Sequence, residues 1–289
     1  MNQRLPVSVL ITTFNEERNL RDCLASVAWA DEQVVVDSFS SDRTVAIASA
    51  AGATVRQRAY VNPADQKNWA IPQCLHRWVL ILDADERVLP ELSAEIQELL
   101  GRPGGPPAAA YEIRRRTLCF GSELRFCGLQ RDRVTRFFDR TRARYNDREV
   151  HEELEVDGPV ACLSGRMIHV TYRTLDDYLE KLNRYTTWGA NDLWKRGRRT
   201  GWWKLMFKPP ARFLSMYLFQ RGVLDGLAGL VYCGLSAAGV LVRHAKLWAM
   251  QRAIASDERW EDGRRIIHAG AAIQERQDLI AGGRREPAP

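Results

Sequence analysis

Four strand-like runs, most of them apolar, punctuate residues 1–101, and each is followed by a segment that reads as a helix. Val7 to Thr12 predicts a strand, and Leu20, Leu24 and Val27 recur at spacings of four and three behind it. Gln33 to Asp37 predicts a second strand. Ser40, Ser41 and Asp42 then offer N-caps for a helix over Val45 to Ala51 that Gly52 stops. Ala53 to Arg58 predicts a third strand, and 64–76 a helix in which Pro72 forces a kink. Trp78 to Leu82 is apolar at every position, as in a strand covered on both faces, and Pro90 opens a helix bearing Leu92, Ile96, Leu99 and Leu100. Alternation of this kind predicts an α/β domain built on a doubly wound, mostly parallel sheet.

The pattern changes after the turn-rich Gly101 to Pro107. Tyr111 to Arg116, Val134 to Asp139, Glu149 to Val156 and Met167 to Val170 alternate like strands and predict a β-rich completion of the same domain. From Thr174 the spacing is helical, through Leu175, Tyr178, Leu182 and Tyr185. Trp202 to Pro210 then interleaves bulky aromatics with lysines. Gly226 to Val242 is a 17-residue uncharged run containing four glycines, with Asp225 beside it. That run falls short of the roughly 20 residues a membrane span requires, so it predicts a helix packed on the domain or lying in the membrane interface. The expected organisation is a domain over 1–173, divided into halves at 1–101 and 108–173. A helical, membrane-contacting region over 174–254 and a polar helix and tail over 255–289 follow.

Composition narrows the picture modestly. A chain of 289 residues with 45% hydrophobic and 27% charged content is globular, and a net charge of +6 points toward anionic partners. Eleven arginines lie between Arg114 and Arg148, which predicts a positive surface for an anionic ligand. The six cysteines form no C-x-x-C pair and predict free thiols. The N-terminal apolar run is short and followed by no small-residue cleavage site, which predicts a cytoplasmic start.

In a doubly wound sheet, ligands bind at the carboxyl ends of the strands, so Thr12, Asp37 and the Asp83-Ala84-Asp85 triplet should converge. On extended chain Asp83 and Asp85 share a face, where they can present oxygens to a hard divalent cation or divide between a cation and a sugar hydroxyl. Acids are also ordinary turn residues at a strand end. No Gly-x-Gly-x-x-Gly or Gly-x-x-x-x-Gly-Lys follows these strands, which removes the main support for dinucleotide or P-loop binding.

Four segments taken together resemble glycosyltransferase family 2, the inverting nucleotide-sugar enzymes of the GT-A fold. They are Val9 to Glu16, Val34 to Ser38 with Ser41 to Thr44, Gln66 to Ala70, and Leu82 to Glu86. Val150-His151-Glu152, His169 to Arg173, Lys181 to Tyr185 and Gly222 to Gly226 extend the likeness to enzymes that add β-glucose to an inner-core heptose of lipopolysaccharide. The resemblance implies a UDP-sugar donor, with Thr12 and Phe14 holding the base, Asp37 accepting the uracil N–H, Glu16 in the donor site and Lys67 offsetting donor charge. It implies that Asp83 binds ribose or shares the metal, and that Asp85 holds Mg2+ or Mn2+ at the diphosphate. Inversion needs one protein base, and the resemblance places Glu152 there, with Glu153, Glu149 and Asp147 as runners-up. His151 and His169 are metal-side ligands or core histidines. Phe14 stands where many members carry tyrosine, so stacking is kept and a hydroxyl contact is lost.

The implied partners are the donor, an anionic glycolipid acceptor and a peripheral membrane contact on the inner face of the cytoplasmic membrane. Nucleic acid is not among them, because strand-end acids repel phosphate unless a cation intervenes. A polyprenyl-phosphate glycosyltransferase shares the donor site but usually carries clear C-terminal spans. A nucleotidyltransferase requires a Gly-rich basic loop that Thr12 to Leu20 lacks.

Overall fold

The computed structural model describes residues 4–130, 132–146 and 153–257. They form two compact units. The first comprises residues up to Thr174 together with Arg221–Gly229, and the second comprises Leu175–Gln220 and the chain from Leu230.

The first unit is built on a mixed sheet flanked by helices on both faces. Strands β1 (Val7–Thr13), β2 (Glu32–Asp37), β3 (Thr54–Gln57) and β4 (Trp78–Asp83) lie parallel in the order β3-β2-β1-β4. Helices α1 (Leu20–Ser26), α2 (Thr44–Ala50), α3 (Pro63–Ala70) and α4 (Pro90–Gly101) alternate with them. The side chains explain the layers. Val9, Ile11, Leu80 and Leu82 pack with Leu20, Leu24, Ala48, Leu92 and Ile96 on one face, while Leu10, Val34, Val36 and Ile81 pack with Ala64 and Ala70 of α3 on the other. Strands buried on both sides must be continuously apolar, and these are.

The remainder of the sheet departs from parallel order. A short strand, β5 (Glu86–Val88), begins directly after a turn at Ala84 and Asp85, which corrects the expectation of extended chain from Asp83 to Asp85. The sheet continues through β6 (Ala110–Cys119), β7 (Ser122–Leu124), β8 (Arg133–Asp139) and β11 (Val160–Tyr172), in the order β4-β8-β6-β11-β5 with β7 on β6. Strand β8 inserts antiparallel beside β4, with Phe137 opposite Leu80, and Trp78, Tyr111 and Phe137 pack ring to ring. Strands β9 (Ala143–Tyr145) and β10 (Leu154–Val156) form a separate antiparallel pair. Of the strand expected over 149–156, only 154–156 is strand among the described residues. All six cysteines are free thiols, five of them buried, and Cys162 is exposed.

Arg221–Gly229 belongs to this unit through Asp225, whose carboxylate accepts the backbone N–H of Arg125 at 3.1 Å and of Phe126 at 2.9 Å.

The second unit contains α5 (Leu175–Lys195), α6 (Trp202–Leu214) and most of α7 (Gly226–Asp257). Lys246 of α7 donates to the Asn183 carbonyl and to the Thr186 and Thr187 hydroxyls of α5, at 2.7–2.9 Å. The uncharged run understated the helix around it. Gly222–Arg252, 31 residues, meets the requirement for crossing a membrane by length and composition.

Candidate functional site

The site grows from the carboxyl ends of β1, β2 and β4. Parallel register sets Thr12 beside Asp83 and Thr13 beside Asp37, so the expected convergence is present. The loops that follow are laced together. Asn15, in the left-handed region at φ 54°, accepts the Ser41 N–H at 2.8 Å and donates its own N–H to Ser40 Oγ at 2.8 Å. The N–H of Glu16 donates to Thr44 Oγ1 at 2.8 Å, and that of Glu17 to Asp42 Oδ2 at 3.1 Å. Ser40 and Ser41 therefore serve the neighbouring loop rather than capping α2, which corrects their expected role; Asp42 alone bonds the Thr44 N–H. The Glu16 carboxylate accepts from Asn19 at 2.7 Å.

This lacing presents Phe14 and Phe39 to solvent, both more than half exposed. Asp37 lies behind them, fully buried, accepting from the Ser40 N–H at 2.9 Å, the Ser40 hydroxyl and Gln57 Nε2 at 3.1 Å. Phe39 is a site-edge aromatic that pattern analysis passed over, because one aromatic between serines carries no period.

The acids at the end of β4 divide their partners. Asp83 accepts from Thr12 Oγ1 at 3.0 Å and from Arg136 Nη2 at 2.5 Å. Withdrawal from water works to raise its pKa, but the charges of Arg136 and then Lys67 outweigh this and hold the carboxyl well below the usual range. Lys67 is buried on α3, its ammonium 5.0 Å from the ring centroid of Tyr145. Asp85 turns elsewhere, its Oδ2 lying 3.5 Å from His169 Nε2 on β11. Burial lowers the His169 pKa, but Asp85 more than compensates and raises it above its ordinary value. His169 thus stands beside Asp85 in a largely buried position.

Behind both acids is a buried ionic network that was not apparent in the sequence. Glu86 is fully buried; it accepts the Asp83 N–H at 3.0 Å, Arg136 at 3.0 Å and Arg115 at 3.4 Å, and Arg115 also pairs with Asp132 at 2.7 Å. The available signal was Arg136 itself, a charge set in a strand before two phenylalanines. Five of the eleven arginines of the expected positive surface are charge-compensated among the described residues. Arg115, Arg116, Arg125, Arg133 and Arg136 all meet carboxylates, because acids stand across the strands from them or close by.

Glu152, Glu149, Asp147 and His151 lie outside the described residues. Glu153 is exposed, and its N–H donates to Asn146 Oδ1 at 3.2 Å where β9 and β10 adjoin.

No group of three or more His, Cys, Asp or Glu side chains gathers as a metal cage among the described residues. The strand-end carboxylates are Asp83, paired with Arg136, and Asp85, 3.5 Å from His169; a hard cation such as Mg2+ or Mn2+ is often held by only one or two carboxylates, with phosphate and water completing its shell. Asp85 is the available carboxylate, with His169 beside it.

Residues 8–113 match the model of glycosyl transferase family 2. The chain is 32% identical over 267 residues to the lipopolysaccharide core biosynthesis glycosyltransferase LpsC of Rhizobium meliloti (strain 1021), covering 85% of this chain and 95% of that protein. It is 28% identical over 251 residues to the uncharacterized glycosyltransferase RP128 of Rickettsia prowazekii (strain Madrid E), covering 83% and 86%. Among solved structures it is similar to S. aureus TarS 1–349, with a TM-score of 0.43 and 14% identity over 86% of this chain and 92% of that one. Kinship that runs almost end to end with LpsC, and is independently matched by the family model over residues 8–113, leads to one conclusion: the chain belongs to glycosyltransferase family 2.

Proposed function

We propose that this enzyme is an inverting hexosyltransferase that moves glucose from a UDP-sugar to a hydroxyl of a lipopolysaccharide inner-core heptose or a similar anionic glycolipid. The observation that carries this is the 32% identity to LpsC over 95% of that protein's length. Exposed Phe14 offers a face on which a base can stack beside Thr12, and Asp37, buried behind Phe14 and Phe39, would accept a uracil N–H once a donor displaces part of the loop that covers it. Glu16 belongs to the loop laced against the one after β2. Lys67 and Arg136 supply positive charge behind Asp83, which takes the ribose or shares the cation.

Asp85, flanked by His169, would hold Mg2+ or Mn2+. Such a cation, when bound, offsets the charge that develops on the departing nucleoside diphosphate. Glu152 then removes the proton from the acceptor hydroxyl on the face opposite the leaving group, with Glu153, Glu149 and Asp147 as neighbouring candidates. A single displacement requires this base and no protein nucleophile. The acceptor's lipid anchor places the work at the inner face of the cytoplasmic membrane, with the protein bound peripherally. A second reading, sugar transfer to a polyprenyl phosphate, is favoured by one observation: the length and apolar composition of Gly222–Arg252.

Calorimetry with a panel of UDP-sugars, with and without Mn2+, followed by transfer to truncated lipopolysaccharide or to polyprenyl phosphate, tests the proposal. Metal-dependent binding of UDP-glucose and an alkali-stable β-glucosyl product on the core acceptor are expected. Binding of no UDP-sugar under any metal condition would remove the reading, and a polyprenyl product would replace its acceptor.

A further inference from the structure

Helix α6 is amphipathic, and its aromatic side is left uncovered. Trp202, Trp203, Met206, Phe207 and Leu214 fall on one arc and are each close to half exposed or more, and no residue of the helix is buried. The rings of Trp202, Trp203 and Phe207 stack along this arc, with centroids 3.8 and 5.0 Å apart. Lys204, Lys208 and Arg212 recur every four residues on the opposite arc. An exposed aromatic stripe on a helix whose other side is cationic calls for a surface with an apolar interior and an anionic rim.

A second feature of the same unit points to the chemistry of that rim. Lys204 and Lys208 lie within electrostatic reach of Arg243 and His244 on α7. The stem of Arg243 packs over Gly189 of α5, where an added Cβ would meet Arg243 Cδ at 2.7 Å. Arg243 Nε and His244 Nε2 are buried without a hydrogen-bond partner among the described residues, and none of these four side chains meets a carboxylate there. Burial first, then Lys208, Arg243 and Lys204, push the His244 pKa down to about 4, as expected where positive charge accumulates uncompensated. Orphaned polar atoms beside unpaired cations indicate an anion that belongs there.

We propose that α6 lies in the headgroup region of an anionic phospholipid bilayer, with Trp202, Trp203, Met206 and Phe207 at the acyl boundary and Lys204, Lys208 and Arg243 binding lipid phosphate. This narrows the membrane contact expected over 174–254 to α6. The inference deepens the membrane-bound-acceptor proposal and rests on it for the choice of leaflet; vesicle binding needs neither donor nor acceptor, so the two fail separately.

The test is flotation of the full-length protein with vesicles of phosphatidylcholine alone or mixed with phosphatidylglycerol, at low and high salt, alongside tryptophan quenching by brominated lipid. Capture by the phosphatidylglycerol vesicles alone, weakened by salt, with quenching that disappears in Trp202→Ser/Trp203→Ser, is expected. Each basic group near an anionic surface contributes roughly fivefold in partition, so Lys204→Gln/Lys208→Gln/Arg243→Gln should lower capture about a hundredfold. UDP-sugar calorimetry on the same preparations shows that the variants are folded. Equal capture on both vesicle types, no capture, or quenching unchanged in the tryptophan variant would overturn the proposal. So would a fluorescence response to inorganic phosphate without vesicle capture, or sedimentation as a dimer that excludes lipid.

Discussion

Arg136 lies 53 residues beyond Asp83 in the chain, yet its Nη2 donates to the Asp83 carboxylate and to that of Glu86. The contact follows from the insertion of β8 beside β4. Antiparallel register sets Phe137 opposite Leu80 and so carries Arg136 toward the acidic end of β4. Asp83 is consequently charge-compensated from behind, and Asp85 is left as the acid committed to a neutral or cationic partner.

Arg136→Met leaves Glu86 without its closest cation in a fully buried position. Removing one member of a buried pair costs about 3–5 kcal/mol, which for a chain of this size lowers the unfolding midpoint by on the order of 10 °C. Thermal unfolding checks this. Arg136→Lys should recover part of the loss, because it keeps the charge but not the forked geometry.

Asp85→Ala should reduce sugar transfer by about a hundredfold or more while leaving the fold unchanged. Paramagnetic titration with Mn2+ in the presence of UDP reads the cause directly. Retention of wild-type manganese affinity would remove Asp85 from the proposed cation site.

Glu152→Gln is expected to lower turnover by about 10²–10⁴ and to leave UDP-sugar affinity unaltered. Calorimetry and initial rates separate the two quantities. If the rate is normal, the base is Glu153, Glu149 or Asp147, and the same substitution at each identifies it.

Gly165 of β11 faces the first turn of α4, where a Cβ would stand 2.5 Å from Leu92 Cα. Backbone cannot yield as a side-chain tip can, so Gly165→Ala should destabilise the first unit by about 1–3 kcal/mol or more. Denaturant unfolding followed through Trp78 fluorescence measures it.

His244 makes stability depend on pH. Its folded-state value of about 4 lies below its ordinary 6.5, so the unfolded chain takes up the proton first. Stability from this group is complete above about pH 6.5 and declines as pH falls toward 4. In His244→Gln the loss over that window should be smaller, as read by urea midpoints at a series of pH values. Burial is the largest cause of the shift, and Lys208 of α6, Arg243 of α7 and Lys204 of α6 add to it, with Thr200 hydrogen-bonded to Nδ1 at 3.2 Å.

The alternating half of the chain was legible because three of its four strands, β1, β2 and β4, are built around apolar runs, and α1 and α4 carry a local period, whereas β3 is a short exposed edge strand. Burial on both faces of a parallel sheet leaves that mark in adjacent residues, so β1 to β4, the helices between them and the convergence of Thr12, Asp37 and Asp83 follow from short stretches of sequence. Where β5 pairs, how β8 intrudes, and what each arginine of the middle segment touches depend on partners dozens of residues away. Asp83 and Asp85 show the difference best. The sequence by itself determined that two acids end a buried strand; only the tertiary structure decided that a turn at Ala84 and Asp85 sends one to Arg136 and the other to His169. The same holds for α6, whose amphipathic period is local but whose uncovered aromatic side is a matter of packing. Local periodicity encodes which face is apolar, whereas the identity of what meets that face is settled by long-range burial and charge pairing.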